Sequence, residues 1–110
     1  MLTNKAKGRK LEDYVADYLK ELDPKARPTK GSGSQNEIAD VLNKYFYIEC
    51  KYRETDSITV KKDVWEKLCN EIKVGSLKTP AYILENKDHM KWVMLEFKDF
   101  MSLIRRVYGS

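Results

Sequence analysis

Cysteine, histidine and long apolar runs are all scarce in this chain of 110 residues, which contains two cysteines and one histidine. Cys50 and Cys69 are far apart in sequence, and such an isolated pair favours neither a disulfide nor a zinc site. The sole histidine, His89, lies in a predicted turn and is a poor candidate for a general base. No apolar run approaches the ~20 residues that a membrane-spanning helix needs, and residues 1–10 are basic without the apolar core of a secretory signal. We therefore expect a cytoplasmic protein that does not bind membranes.

Charged residues are abundant, by contrast, and basic ones are in excess. Hydrophobic residues make up 42% of the chain and charged residues 35%, which fits one compact domain over residues 1–110 and excludes a disordered tail. Lysine and arginine total 21 against 17 acids, a net charge of +4. Four basic residues precede the first acid of the chain, which is Glu12: Lys5, Lys7, Arg9 and Lys10. If acids of the chain bind a metal ion, the remaining surface is more basic still, and a phosphate backbone becomes a fitting partner.

Apolar spacing and turn residues predict three helices and five extended segments. Apolar residues recur at helical spacing from Leu11 to Leu22, and Asp23-Pro24 ends this first helix. Asp63 is a good N-cap for the second helix, and Gly75 a good stop. The predicted elements are, in chain order, a helix over 4–22, an extended piece over 26–30, strands over 37–42 and 45–52, a helix between Asp63 and Gly75, strands over 79–85 and 90–96, and a helix over 97–107. This order, α-β-β-β-α-β-β-α, indicates an α/β fold in which helices flank a central mixed sheet.

The third extended segment carries a carboxylate and a lysine on one face. Residues two apart in a strand share a face of the sheet, so Glu49 and Lys51 point together while Cys50 points to the opposite, apolar side. A two-residue turn at Asn43-Lys44 would make Asp40 the diagonal neighbour of Glu49 on that face, with Cβ atoms roughly 7–8 Å apart. A four-residue loop would keep this arrangement, whereas a three-residue loop or a bulge would break it.

Two carboxylates at this separation can bind one divalent cation. Oxygen ligands without histidines or thiols favour Mg²⁺, or Mn²⁺ in its place. The backbone carbonyl of Cys50 is a candidate for a further oxygen ligand beside Asp40 and Glu49. Glu12, at the edge of the apolar stripe of the first helix, would lie at the margin of the buried face and adds a third acid. Three acids and a lysine suit phosphodiester hydrolysis, in which Lys51 orients the attacking water or stabilises the transition state.

The same residues resemble the signature of a nuclease family. Glu12, Asp40 and Glu49-x-Lys51 are similar to the PD-(D/E)XK pattern, and nearly the whole chain resembles the archaeal-type Holliday junction resolvases, some of whose relatives are encoded by viruses. The segments that carry the resemblance are Gly8-Arg9-Lys10-Leu11-Glu12, Arg27 and Ser32 before the aspartate, Ile48-Glu49-Cys50-Lys51 and Val60-Lys61-Lys62. The chain departs from it in two regions: Ala39 stands where the pattern has proline, and Val64 and Trp65 stand early in the second helix, where some relatives have glutamine.

The resemblance implies a restriction-endonuclease-like fold and a Mg²⁺-dependent homodimer that nicks four-way DNA junctions symmetrically. Asp40 and Glu49 would then bind the metal, Glu12 would assist them, and Lys51 would be catalytic. Ser32 would lie on a mobile loop that contacts the scissile region and would join the catalytic set. The predicted DNA-binding residues are Lys5, Lys7, Arg9, Lys10, Arg27, Lys30, Ser32, Arg53, Lys61 and Lys62.

A homodimer also follows from the geometry of the substrate. Resolution of a four-way junction needs two nicks related by approximate two-fold symmetry, whereas one chain offers one carboxylate cluster. A C₂ dimer would supply the second site. Its interface would use large apolar groups near the end of the chain, and the candidates are Met94, Phe97, Phe100 and Met101.

Other interpretations stay open at this point. The chain could be a PD-(D/E)XK nuclease of other specificity, of nicking or restriction type, or a non-catalytic DNA-binding module on the same fold. Glu49 and Lys51 could simply belong to a solvated strand face with a cross-strand ion pair, and Glu12 could be a surface acid of its helix. Metal-dependent cleavage of a four-way junction, compared with a linear duplex, separates these interpretations.

Overall fold

The computed structural model of the chain describes residues 4–29 and 39–109, with side chains from Lys10 onward in the first helix. The elements are α1 (Asn4–Leu19), β1 (Arg27–Pro28), β2 (Val41–Leu42), β3 (Phe46–Tyr52), α2 (Lys62–Glu71), β4 (Thr79–Glu85), β5 (Lys91–Met94) and α3 (Phe97–Val107). This is the predicted order, and β4 and α3 have the predicted bounds. None of the helices in the described part of the chain is both long and apolar enough to span a membrane.

The strands form one mixed sheet in the order β1-β2-β3-β4-β5. β3 pairs with β4 in parallel, and the other neighbouring pairs are antiparallel. The parallel pair is possible because α2 lies between β3 and β4 and returns the chain to the end of the sheet where β3 begins, so that β4 runs in the same direction. The predicted α/β fold with a central mixed sheet is therefore confirmed, and it is consistent with a restriction-endonuclease-like fold.

Helices cover both faces of the sheet, because side chains alternate along each strand. On one face, Ala16 of α1 packs against Val41, Ile48 and Ala81, with the half-buried Cys50 beside them. On the other face, Leu68 of α2 packs against Tyr47, Tyr82 and Leu84. Glu49 and Lys51 have the parity of Tyr47 and therefore lie on the α2 face.

Helix α3 is the exception, since none of its residues is buried. Phe97 and Val107 are 77% and 81% exposed, and Phe100 is 48% exposed. An amphipathic helix normally buries its apolar stripe. Within the described part of the chain, no other element buries the apolar stripe of α3.

Several predicted boundaries are wrong by a few residues. Helix α1 ends at Leu19 instead of Leu22, because the Leu19 carbonyl accepts from the N–H groups of Leu22 and Asp23 in a closing turn. Helix α2 begins at Lys62, with Lys61 as N-cap and no side-chain cap, so the predicted Asp63 cap is wrong.

The later boundaries differ for similar local reasons. Helix α2 ends at Glu71, before Gly75, which takes a positive φ of 89° in the turn beyond the helix. Strand β2 covers only Val41–Leu42, and β5 only Lys91–Met94. Residues 37 and 38 of the longer predicted strand lie outside the described residues.

Candidate active site

The hairpin of β2 and β3 sets the position of Asp40. Val41 pairs with Ile48, so the connection between β2 and β3 is longer than the predicted two-residue turn. Asn43 makes this longer connection, because its Oδ1 accepts from the Phe46 N–H at 2.8 Å and its Nδ2 donates to the Phe46 carbonyl at 2.9 Å. Such an Asx-type turn replaces the backbone pairing of a tight turn. The predicted two-residue turn is therefore wrong.

Asp40 reaches across to the middle of β3. Its N–H donates to the Ile48 carbonyl at 2.8 Å, and its Oδ2 accepts from the Cys50 N–H at 2.7 Å. Because Ile48 also pairs with Val41, two residues of one strand meet one residue of the other, an irregularity of the bulge type. The Asp40 carboxyl is thereby held against Glu49, and the two side chains are hydrogen-bonded to each other.

This contact shifts the pKa of both acids upwards. Burial is the largest cause for Glu49, followed by the negative charges of Asp40 and Glu71, and together they raise its pKa to about 8. Burial also raises the pKa of Asp40, while the Cys50 N–H and the hydrogen bond with Glu49 oppose the rise. Two carboxylates in contact cannot both ionise at low cost, so without a cation the pair shares a proton near neutral pH.

Lys51 lies on the same face, half-buried, with its Nζ 5.5 Å from the centroid of the Tyr82 ring. Burial lowers its pKa, the positive charge of Arg53 lowers it further, and the charge of Glu49 opposes both effects. Glu49 and Lys51 thus lie on one face of β3, and Asp40 meets Glu49 from the segment before β2.

Glu12 comes from α1, on the opposite face of the sheet from Glu49. It is half-buried, and its negative charge contributes to the raised pKa values of Glu49 and of the Cys50 thiol. Within residues 4–29 and 39–109, however, no three Asp, Glu, His or Cys side chains are grouped so that they could hold a metal ion. The structure thus brings Asp40 and Glu49 together and leaves Glu12 as a nearby charge.

The donors around Asp40 and Glu49 nevertheless fit a hard cation. In a strand the N–H and C=O of one residue point to the same side, so the Cys50 carbonyl faces the edge where its N–H meets Asp40. Two carboxylates and one carbonyl are oxygen donors, and Mg²⁺ typically takes one or two carboxylates and keeps several waters. A cation would also remove the repulsion that raises both acid pKa values.

Sequence reasoning missed Glu71, Tyr47 and Tyr82. The Tyr47 hydroxyl donates to Glu71 Oε2 at 3.0 Å, and the charge of Glu71 is felt by Asp40 and Glu49. Tyr47 could have been found from its spacing, because it lies two residues before Glu49. Glu71 and Tyr82 depend on where α2 and β4 pack, which no local pattern reveals.

The predicted DNA-binding residues are only partly described. Lys30 and Ser32 lie outside the described residues, as do the side chains of Lys5, Lys7 and Arg9. Lys10, Arg27, Arg53, Lys61 and Lys62 are all exposed. Arg53 directly follows β3, and its Nη1 donates to the Tyr52 carbonyl at 2.7 Å. Lys61 and Lys62 open α2, where Lys62 pairs with Glu66 at 3.4 Å.

Comparison with known proteins bears on the whole chain. The model of one protein family, described as archaeal Holliday junction resolvase (Hjc), matches residues 3–108. Searches of curated proteins and of solved structures give no match. The match covers almost the entire chain and includes the strand that carries Glu49 and Lys51. The chain therefore belongs to the archaeal Holliday junction resolvase (Hjc) family of nucleases, which act on branched DNA.

Proposed function

We propose that this chain is a Mg²⁺-dependent endonuclease that resolves four-way DNA junctions by paired, symmetric nicks. Residues 1–110 would form one nuclease domain that acts where DNA is found inside the cell. The observation that carries the proposal is the hydrogen-bonded pair of Asp40 and Glu49 with Lys51 beside it on β3, in a member of a junction-resolving family.

Asp40, Glu49 and the Cys50 carbonyl would hold the metal ion. When bound, the ion supplies a water molecule of lowered pKa and positive charge at the scissile phosphate, and Mn²⁺ could replace Mg²⁺ in this role. The Cys50 N–H keeps the Asp40 carboxylate in place through its 2.7 Å hydrogen bond. Metal binding would need both carboxylates ionised, so the proton that they share in the metal-free protein would pass to solvent.

Lys51 would act on the phosphate from the same face. A fixed ammonium group stabilises the charge that builds up in the transition state, and it does so best in a site from which water is largely excluded. Lys51 is half-buried, and burial lowers the pKa of its ammonium group. Glu12 would assist from the other side of the sheet by its charge, and Ser32 from the loop before Asp40.

Basic residues would hold the DNA around this site. Arg53 lies two residues beyond Lys51, and its charge reaches the Lys51 ammonium. Lys61 and Lys62 follow at the start of α2, where phosphates also meet the positive end of the helix. The remaining proposed contacts come from Lys5, Lys7, Arg9, Lys10, Arg27 and Lys30.

A homodimer would provide the second nick. Helix α3 exposes Phe97, Phe100 and Val107, and an apolar stripe of this kind marks an interaction surface. Two-fold symmetry is the commonest way for identical chains to cover the same patch. Met94 and Met101 were expected at this interface too; both are half-buried within the chain.

The test compares a labelled four-way junction with a linear duplex of the same arm sequence, in Mg²⁺ and in EDTA. We expect junction cleavage in Mg²⁺ alone, and its loss in Asp40→Asn, Glu49→Gln and Lys51→Ala. Asp17→Asn and Lys20→Ala, at an exposed ion pair on α1, are matched controls and should cut normally. Equal cleavage of both substrates would indicate a nuclease of other specificity, and junction binding without any cleavage a DNA-binding module.

A further inference from the structure

Lysine is a poor choice for a fixed charge unless something restrains it. Its ammonium sits on a flexible four-carbon stem, whereas a charge that stabilises a transition state must be in place beforehand. Lys51 therefore needs a contact that holds its Nζ near the Asp40–Glu49 pair. The contact that the structure gives its Nζ is the ring of Tyr82, 5.5 Å away at its centroid.

The register of the parallel strands gives this contact a direction. Tyr82 pairs with Glu49, and Lys51 pairs with Leu84, so Tyr82 stands beside Glu49 and diagonally behind Lys51. An ammonium over the Tyr82 ring is accordingly drawn back along β3, towards Glu49 and away from solvent. A cation–π contact at less than ~6 Å can hold it there.

The Tyr82 ring is itself held firmly. It is 6% exposed, and it packs with Leu68 and Leu84 in the core under α2. Its ring also lies against that of Trp65, with centroids 6.0 Å apart, and the Trp65 indole donates to Glu96 Oε1 at 3.4 Å. The support beneath Lys51 is thus a packed aromatic pair that cannot rotate freely.

We propose that Tyr82 is a positioning residue, which holds the Lys51 ammonium beside the Asp40–Glu49 pair through the face of its ring. The inference rests on the proposed catalytic role of Lys51, but it concerns the geometry of the lysine and can be tested apart from cleavage. The ring is required and the hydroxyl is not, so Tyr82→Phe retains the function and Tyr82→Leu loses it.

The first measurement is the single-turnover cleavage rate on a four-way junction at saturating protein and Mg²⁺. We expect Tyr82→Phe to stay within about twofold of wild type and Tyr82→Leu to fall about tenfold, with junction binding unchanged in both. Tyr52→Leu is the matched control, because Tyr52 is equally buried in the same sheet but has the opposite parity to Lys51. It should lose thermal stability and keep its cleavage rate at a temperature where it is folded.

The second measurement is the NMR shift of the Lys51 ε-methylene protons in metal-free protein with labelled lysine, assigned by comparison with Lys51→Arg. Aromatic ring current should shift these protons upfield in wild type and in Tyr82→Phe, and the shift should vanish in Tyr82→Leu. If Tyr82→Leu does not fold, Tyr82→Met takes its place.

Each result counts for or against the proposal. An unshifted Lys51 signal in wild type overturns it, as does a Tyr82→Leu or Tyr82→Met variant that loses the shift and still cleaves at the wild-type rate. Full cleavage by Lys51→Ala would instead overturn the proposed role of the lysine, whatever the NMR signal shows.

Discussion

Asp40 and Glu49 are held within hydrogen-bonding reach of each other although both are partly buried. Such a pair costs stability when it is ionised, because the two negative charges repel each other in an environment that solvates them poorly. The same arrangement is favourable when a cation lies between the two groups. The raised pKa of Glu49 is therefore in keeping with the proposed role of this pair in holding a cation.

The first prediction concerns the pH dependence of stability without metal. The pKa of Glu49 is about 8 in the folded chain and about 4.5 in the unfolded chain, so between these values the folded state holds a proton that the unfolded state has lost. Stability is thus highest below about pH 4.5 as far as this group is concerned, and it falls as the pH rises through about 8. In EDTA, the Tm of wild type should drop over this range more steeply than the Tm of Glu49→Gln.

The control for this experiment is Glu66→Gln, which removes an exposed acid from α2. Its Tm should follow the wild-type pH profile. If Glu49→Gln has the same profile as wild type, the raised pKa of Glu49 is refuted.

The second prediction concerns the metal itself. At pH 8, Mg²⁺ should raise the Tm of wild type, because a ligand that binds only the folded state stabilises it by mass action. Asp40→Asn should show a much smaller increase, since it removes one of the two carboxylates. Asp17→Asn, at an exposed site on α1, should respond like wild type. Equal increases in all three proteins would place the Mg²⁺ effect elsewhere.

At this scale strand parity is enough to put Glu49 and Lys51 on one face of β3, whereas the bulge-type pairing that brings Asp40 to Glu49 could not be predicted. Glu71 and Tyr82 could not be predicted in this way. Their places depend on how α2 crosses the sheet and on the parallel register of β3 with β4. Those are results of packing between segments far apart in sequence.

Elements were predictable where the local signals agreed. Strand β4 and helix α3 have the expected bounds because their apolar patterns have clear ends. The end of α1 was misplaced because Leu22 fits the apolar stripe by spacing but is 89% exposed. The β2–β3 turn was misjudged because the side chain of Asn43 bonds to Phe46 and so supports a longer loop than Asn43-Lys44 suggests.

The third prediction belongs to α1, whose first residues are basic. Replacing Lys5, Lys7, Arg9 and Lys10 by glutamine should weaken binding to every form of DNA. It should also flatten the log–log dependence of affinity on salt, by up to ~0.9 per lost phosphate contact. The measurement is junction affinity across a salt series in the Asp40→Asn background, so that cleavage does not interfere.

Lys20 and Lys25 serve as the control, since they lie at and beyond the other end of α1 and are exposed. Their replacement should leave the salt slope unchanged. An unchanged slope in the N-terminal variant would mean that this basic segment faces solvent or the partner subunit.

At the scale of the whole molecule, α3 is the feature that one chain leaves unexplained. Its apolar stripe is exposed, and β5 beside it exposes Val93 at 62%. The sequence predicted Phe97 and Phe100 as interface candidates from the symmetry of the substrate and from their size, since a small core cannot cover every large apolar group. The exposure of the stripe is an independent physical argument for the same conclusion.

The fourth prediction is that wild type sediments as a dimer at micromolar concentration and that Phe97→Glu sediments as a monomer. A charge in the middle of an apolar interface is costly to bury, so dissociation is expected. Leu77→Glu is the control: Leu77 is 96% exposed in the loop before β4 and is not part of α3. It should remain a dimer, whereas a wild-type monomer would rule out the proposed assembly.

Cleavage of a cruciform plasmid tests the central claim most directly, because it reports the metal site, the junction preference and the pairing of nicks together. In Mg²⁺, wild type should convert the supercoiled cruciform into linear product without an accumulation of nicked circles, and Glu49→Gln should leave it intact. Nicked circles alone from wild type would contradict the account, since they would show a nickase without paired resolution.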